Sequence, residues 1–163
     1  MKKILSFTVD HTRLEPGVYV SRKDTFEKTT LTTFDLRITT PNREPVMGTA
    51  EIHTIEHLGA TYLRNHAQWG SRTVYFGPMG CRTGFYVIFE GNHTSQEILP
   101  VITETFRYIS EFPGSVPGAS PHDCGNYLDM NLNMAKYFAS RYLQNVLTAE
   151  STPTNYPDGK SEN

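Results

Sequence analysis

"VYVSRKDTFEKTTLTTFDLRIT", Val18 to Thr39, contains two runs in which apolar and polar residues alternate, "VYVSRK" (Val18–Lys23) and "FDLRIT" (Phe34–Thr39). Both are rich in β-branched and aromatic residues and read as strands, with Phe34, Leu36 and Ile38 sharing one face. No crossover helix separates them. Strands that follow one another this way build an antiparallel sheet, so the expected class is α+β, with helices packed on a mainly antiparallel β-sheet. At 163 residues, the chain has the size of a single domain able to bury one continuous core.

Outward from this pair, Pro41-Asn42 and Glu44-Pro45 punctuate the chain, and Gly48-Thr49 offers a helix start with Thr49 as N-cap. From Ala50 to about His66, Ile52, Ile55, Leu58, Tyr62 and Leu63 recur at helical spacing and form one stripe. "RTVYF" and "TGFYVIFEG" read as two further strands separated by a turn, "GPMGC" at Gly77 to Cys81. Thr94 and Glu97 form a capping box that opens a second helix to about Phe112, with a local distortion expected at Pro100. A Pro/Gly/Ser-rich loop, Pro113 to Asn126, delivers Cys124. A third helix is expected from about Tyr127 to Ala149, its stripe made of Leu128, Leu132, Ala135, Phe138, Tyr142 and Val146. Residues 1–150 are thus read as one catalytic domain and 151–163 as a flexible polar tail.

The 15 basic and 17 acidic residues give a formal charge of -2, and the basic ones are scattered. No stripe for phosphate backbones results, so nucleic acid is not an expected partner. Apolar runs such as "FYVIF" are too short to cross a bilayer, and "MKKILSFTVD" turns polar before a signal-peptide core forms. A cytoplasmic protein without membrane attachment is expected. The two cysteines, Cys81 and Cys124, match neither a disulfide scaffold nor a paired-thiol motif, so each thiol needs its own explanation.

"HTIEH", His53 to His57, carries the chemistry. Residues four apart on a helix differ by about 400° of rotation, so the two imidazoles project nearly in parallel and can bind one ion. Glu56 falls within the same arc of about 100° and can face the ion without ligating it. The competing reading is a solvated helix face. A catalytic metal needs about three protein ligands and an open position. Cys124, His122, His11, His66 and His93 are the candidates for the third, and Cys124 stands out because thiolate is a strong ligand on a loop whose backbone can approach an ion. Cys81, in "GPMGCRTG" and followed by Arg82, suits proton shuttling if a neighbouring cation lowers its pKa; a packed turn cysteine is the alternative.

Five segments in order, "SFTVDHT" (Ser6–Thr12), "FDLR" followed by "PN" (Phe34–Asn42), "HTIEHL" (His53–Leu58), "PMGCRTGFY" (Pro78–Tyr86) and "DCGNY" (Asp123–Tyr127), closely resemble S-ribosylhomocysteine lyases, the LuxS family. The resemblance covers nearly the whole chain. It implies a homodimeric α+β metalloenzyme, its site at the dimer interface. Such an enzyme splits S-ribosylhomocysteine into homocysteine and 4,5-dihydroxy-2,3-pentanedione, the autoinducer-2 precursor of quorum sensing, by two carbonyl migrations and a β-elimination. By motif, His53, His57 and Cys124 match the metal ligands, Glu56 and Cys81 the general acid/base pair, and Ser6, His11 and Arg37 the substrate pocket. Fe(II) is the metal this resemblance favours, with Zn(II) or Co(II) as alternatives. The rival is an inverzincin-like metallopeptidase, whose H-x-x-E-H signature the motif also fits and in which Glu56 would activate a metal-bound water. That rival needs a downstream glutamate as third ligand, with Glu97, Glu104 and Glu111 available, and a partner domain for which 163 residues leave no room.

Overall fold

The computed structural model describes residues 8–157. Four antiparallel strands form one sheet: β1 (Gly17–Phe26), β2 (Thr29–Arg37), β3 (Thr73–Pro78) and β4 (Gly84–Glu90), in the order β1-β2-β4-β3. The first hairpin closes between Phe26 and Thr29, with Glu27 in the left-handed region at φ 53°. A bulge between Val20 and Arg22 shifts the register of β1 against β2. Three helices, α1 (Thr49–Asn65), α2 (Ser95–Glu111) and α3 (Leu132–Tyr142), complete the α+β architecture.

The helices cover one face of the sheet. Val18, Phe34, Leu36, Phe85, Val87 and Phe89 from the strands pack there with the stripes of α1 and α2 in a single buried cluster. Gly59 lets α1 approach β3, since a Cβ there would lie 2.4 Å from the Phe76 ring.

Three expectations are adjusted. The N-cap of α1 is Gly48 and not Thr49; the Glu51 carboxylate accepts from the Gly48 N–H, the return bond of a capping box whose forward bond a glycine cannot make. Helix α2 runs through Pro100 without interruption. Helix α3 begins at Leu132 instead of Tyr127, because backbone groups of the preceding residues are bonded to α1 and Asn131 caps the helix by accepting from the Met134 N–H. Leu128, counted into the apolar stripe, is 78% exposed. After α3 the chain makes one π-helical turn (Leu143–Leu147), closed by the Thr148 N–H on the Leu143 carbonyl.

The second face of the sheet is also covered. Asp35 and Arg37, which alternate with Phe34 and Leu36 in "FDLRIT", are 2% and 3% exposed. Leu14, Tyr19 and Tyr156 form a small second core over that side. Tyr156 lies in the segment after the last helical turn, whose Pro153 carbonyl accepts from the Val18 N–H at 2.9 Å. Among the described residues, no helix is long and apolar enough to cross a membrane.

Candidate active site

His53 and His57 lie one turn apart on α1, with ring centroids 4.7 Å apart and nearly perpendicular planes. Each ring is oriented through Nδ1: His53 donates to the Asp129 carbonyl at 3.0 Å and His57 to the Pro117 carbonyl at 2.7 Å. A carbonyl can only accept, so the Nδ1 atoms carry the protons and both Nε2 lone pairs are left for an ion. Gly118, at φ 70°, keeps the loop against His57, where a Cβ would stand 3.3 Å from Nδ1.

The same loop brings in Cys124. Its Sγ lies 3.4 Å from His53 Nε2 and accepts from the Asn126 N–H at 3.4 Å. Ligand atoms of His53, His57 and Cys124 all fall within 4.8 Å of one another. The donor set fits a divalent ion of borderline softness: two imidazoles with their outer nitrogens fixed, one thiol sulfur and room for a fourth, exchangeable position. Glu56 is half-buried on α1 beside the triad and is not part of it.

The loop is pinned to α1 at its far end. The buried Thr54 hydroxyl donates to the Ala50 carbonyl at 2.8 Å and accepts from the Asn131 N–H at 2.9 Å. Thr54 therefore fixes the chain two residues beyond Asp129, whose carbonyl orients His53.

The other histidines are engaged elsewhere. His122 is exposed and bonds Asp123, His66 bonds Glu104, His93 meets the Glu90 carbonyl and His11 meets the Val9 carbonyl. Of the glutamates a peptidase would need, Glu97 closes the cap of α2 and Glu104 serves Tyr62 and His66. None of these residues, nor Glu111, joins the triad.

A second cluster forms where β2 meets the turn before β4. Arg37 donates from Nε and Nη2 to the two carboxylate oxygens of Asp35, at 3.1 and 2.6 Å. Its Nη1 donates to Thr83 Oγ1 at 2.5 Å and lies 3.8 Å from Cys81 Sγ. Thr83 Oγ1 is 3.1 Å from the same sulfur, so its hydroxyl proton can point at a thiolate while its lone pair takes the Arg37 proton. Burial pushes the Cys81 thiol up, but hydrogen bonds from the Thr83 hydroxyl and backbone N–H, together with the Arg37 charge, outweigh it and hold the thiol below its ordinary range. Cys81 itself is exposed at the turn. Burial works against the Arg37 charge, and Asp35 overrides it, so the guanidinium stays charged.

A family model described as S-Ribosylhomocysteinase (LuxS) matches residues 4–153. The chain belongs to the LuxS family. It is 58% identical over 158 residues to an S-ribosylhomocysteine lyase of Clostridium acetobutylicum, a match covering 97% of this chain and 100% of that protein. An S-ribosylhomocysteine lyase of Clostridium beijerinckii is 60% identical over 147 residues, covering 90% of this chain and 92% of that protein. One from Porphyromonas gingivalis is 57% identical over 159 residues, covering 97% and 100%.

Within this LuxS-family chain, the structure brings together His53, His57 and Cys124, and separately Arg37 and Cys81. His11 is half-buried in the N-terminal segment, and Ser6 lies outside the described residues. Sequence reasoning missed Asp35, Thr54, Thr83 and Tyr156. Asp35 and Arg37, two apart on one strand, share a sheet face, and that spacing was the available signal. Neither Thr54 nor Tyr156 carries a mark in the sequence that separates it from an ordinary helix or tail residue.

Proposed function

We propose that this chain is a metal-dependent carbon-sulfur lyase that cleaves S-ribosylhomocysteine into homocysteine and 4,5-dihydroxy-2,3-pentanedione, the autoinducer-2 precursor. The observation that carries the reading is the convergence of His53, His57 and Cys124 in a chain of the LuxS family. The sulfur of the substrate sits on C5 of the ribose unit. A thiolate leaves from C5 only when the proton on C4 is acidified by a carbonyl at C3. The open sugar carries its carbonyl at C1, so two migrations, each moving a proton from one carbon to its neighbour, must precede the elimination.

Each migration needs a base that returns what it takes, and Glu56 and Cys81 fill these roles. Cys81 suits proton removal from carbon because Thr83 and Arg37 favour its thiolate. Glu56, close to the triad but outside it, would carry protons at the sugar oxygens and carbons nearest His53 and His57. Ser6, His11 and Arg37 would bind the substrate. A divalent ion held by His53, His57 and Cys124 would supply Lewis acidity toward the migrating carbonyl and its neighbouring hydroxyl. Fe(II) is the favoured ion, with Zn(II) and Co(II) as alternatives suited to the same donors.

The working form is a homodimer with the site at its interface. Supporting a second copy over the site, the stretch that follows Cys124 exposes Tyr127, Leu128, Met134 and Tyr137. Cavities of about 390 Å³, beside Arg141 and Tyr142, and about 520 Å³, beside Tyr62 and Tyr108, are lined by neither His53, Glu56, His57, Cys81 nor Cys124. Residues 1–150 form one catalytic domain on this reading and 151–163 a polar tail, of which residues 158–163 lie outside the described ones. Two unpaired thiols, one of them exposed, suit a reducing cytoplasm.

Incubation of the metal-loaded protein with S-ribosylhomocysteine, followed by thiol titration, tests the proposal. Homocysteine is expected to appear with the wild type. Glu56→Gln and Cys81→Ala are expected to lower its rate by at least about a hundredfold, the usual scale of a lost acid/base group, with bound metal unchanged. No thiol release from metal-replete wild type would remove the lyase reading, and full activity in either variant would remove that residue.

A further inference from the structure

Tyr156 belongs to a polar C-terminal segment to which the reaction gives no role, yet it is 6% exposed and its hydroxyl is spent on a charged group. It donates to Asp35 Oδ2 at 3.0 Å, the same oxygen that takes Arg37 Nη2. Its ring stacks on Tyr19 at 4.7 Å and 11°. Burial and the Asp35 charge both push the phenol far above its ordinary value, so it remains an O–H donor under all working conditions.

We propose that Tyr156 is a positioning residue for Cys81, acting through Asp35 and Arg37. The proposal rests on the reading of Cys81 as the acid/base thiol. Asp35 alone could hold the plane of the guanidinium by its two-point contact, but a free carboxylate charge beside Arg37 would also offset the positive field at Cys81. The phenol hydrogen bond fixes the Asp35 carboxylate against Arg37 and draws part of its charge away from the guanidinium. Arg37 is then left with one nitrogen aimed at Thr83 and Cys81. Among the described residues, Arg37 from β2 and Tyr86 from β4 interact with Cys81 directly, Arg82 follows it in the chain, and Asp35 and Tyr156 stand behind Arg37.

The segment is docked by contacts that do not involve the phenol oxygen. Pro153 accepts from the Val18 N–H, the Thr152 hydroxyl donates to the Val146 carbonyl at 2.9 Å, and Gln96 donates to Thr154 at 3.2 Å. Tyr156→Phe therefore keeps the stack and the docking and removes only what the phenol oxygen makes, the bond to Asp35 and a contact with Ser21; Ser21→Ala, which loses the second alone, is the control. A residue that only plugs the sheet face would show its effect in Tyr156→Ala and none in Tyr156→Phe.

The experiment follows iodoacetamide alkylation of the metal-loaded enzyme against pH, with Cys81→Ala identifying the Cys81 component, and measures turnover of the same samples. In Tyr156→Phe the Cys81 component is expected to titrate at higher pH and to react about threefold more slowly near neutrality, as the thiolate fraction falls. Loss of kcat should parallel it, with KM little changed. A Cys81 titration in folded Tyr156→Phe that coincides with wild type overturns the proposal. Should Tyr156→Phe fail to fold, Tyr156→Leu is compared with Tyr19→Leu, which also loses the stack but keeps the Tyr156 phenol; equal Cys81 titrations in the two overturn the proposal. Full turnover by Cys81→Ala would instead strike the acid/base reading, and the alkylation profile would still report whether Tyr156 governs the thiol.

Discussion

Thr83 stands between the cation and the thiol, and its hydroxyl serves both: it accepts from Arg37 and can donate to Cys81. Thr83→Val keeps the shape at a position 5% exposed and removes that relay. The thiol of Cys81 is held low in the native protein, so losing a stabiliser of the thiolate raises its pKa and leaves less base at any given pH. The acid limb of kcat/KM is therefore expected to move to higher pH in Thr83→Val, with the alkaline plateau retained; an unmoved limb would show that Arg37 and the backbone N–H suffice. The arrangement of the candidate site was only partly legible. That His53, Glu56 and His57 lie together on α1 could be read because helical spacing converts sequence directly into direction. Arg37 and Asp35 do not, because alternation says that they share a face and not whether that face is solvated. The cover comes from Tyr19 and Tyr156, and Tyr156 is more than a hundred residues further along the chain.

The loop between α2 and α3 brings Cys124 to His53 and His57, and Thr54 ties its far end to α1. Strands and helices α1 and α2 were readable from period and caps, since those signals are local. The start of α3 was not: apolar periodicity extends back to Leu128, but Asn131 commits its N–H to Thr54 and its side chain to the cap. A long-range bond of this kind leaves no local pattern. Thr54 is fully buried, so Thr54→Val removes the acceptor without opening a cavity. It leaves the Asn131 N–H with the longer bond to Ala50 and is expected to cost about 1 to 3 kcal/mol of stability in urea unfolding. The Asp129 carbonyl would be held less firmly against His53 Nδ1, and metal affinity in a chelator competition should fall by about tenfold, the scale of lost outer-sphere support. Unchanged affinity with the expected loss of stability would show that the loop is held by Pro117 and His57 instead.

At the scale of the whole molecule, the two chemical clusters belong to different parts of the fold. The metal triad joins α1 to the α2–α3 loop, whereas Arg37, Thr83 and Cys81 lie at the ends of β2 and β4. Among the described residues, no hydrogen bond links one cluster to the other. A dimer resolves this if each site combines the triad and Glu56 of one subunit with Arg37 and Cys81 of its partner. The arrangement makes a prediction that a site within one subunit cannot share. His57→Ala and Cys81→Ala homodimers should each be inactive, the first for want of a metal ligand and the second for want of the thiol. In a mixed dimer, the subunit with the intact triad faces the subunit with the intact thiol, so one site of the two is complete. Co-expression with two different tags, purification over both and a thiol-release assay should give about half the wild-type turnover per dimer, as expected for one working site of two. Mixed dimers of verified mass that stay inactive would place each complete site within a single chain, and the exposed apolar residues after Cys124 would then need another explanation.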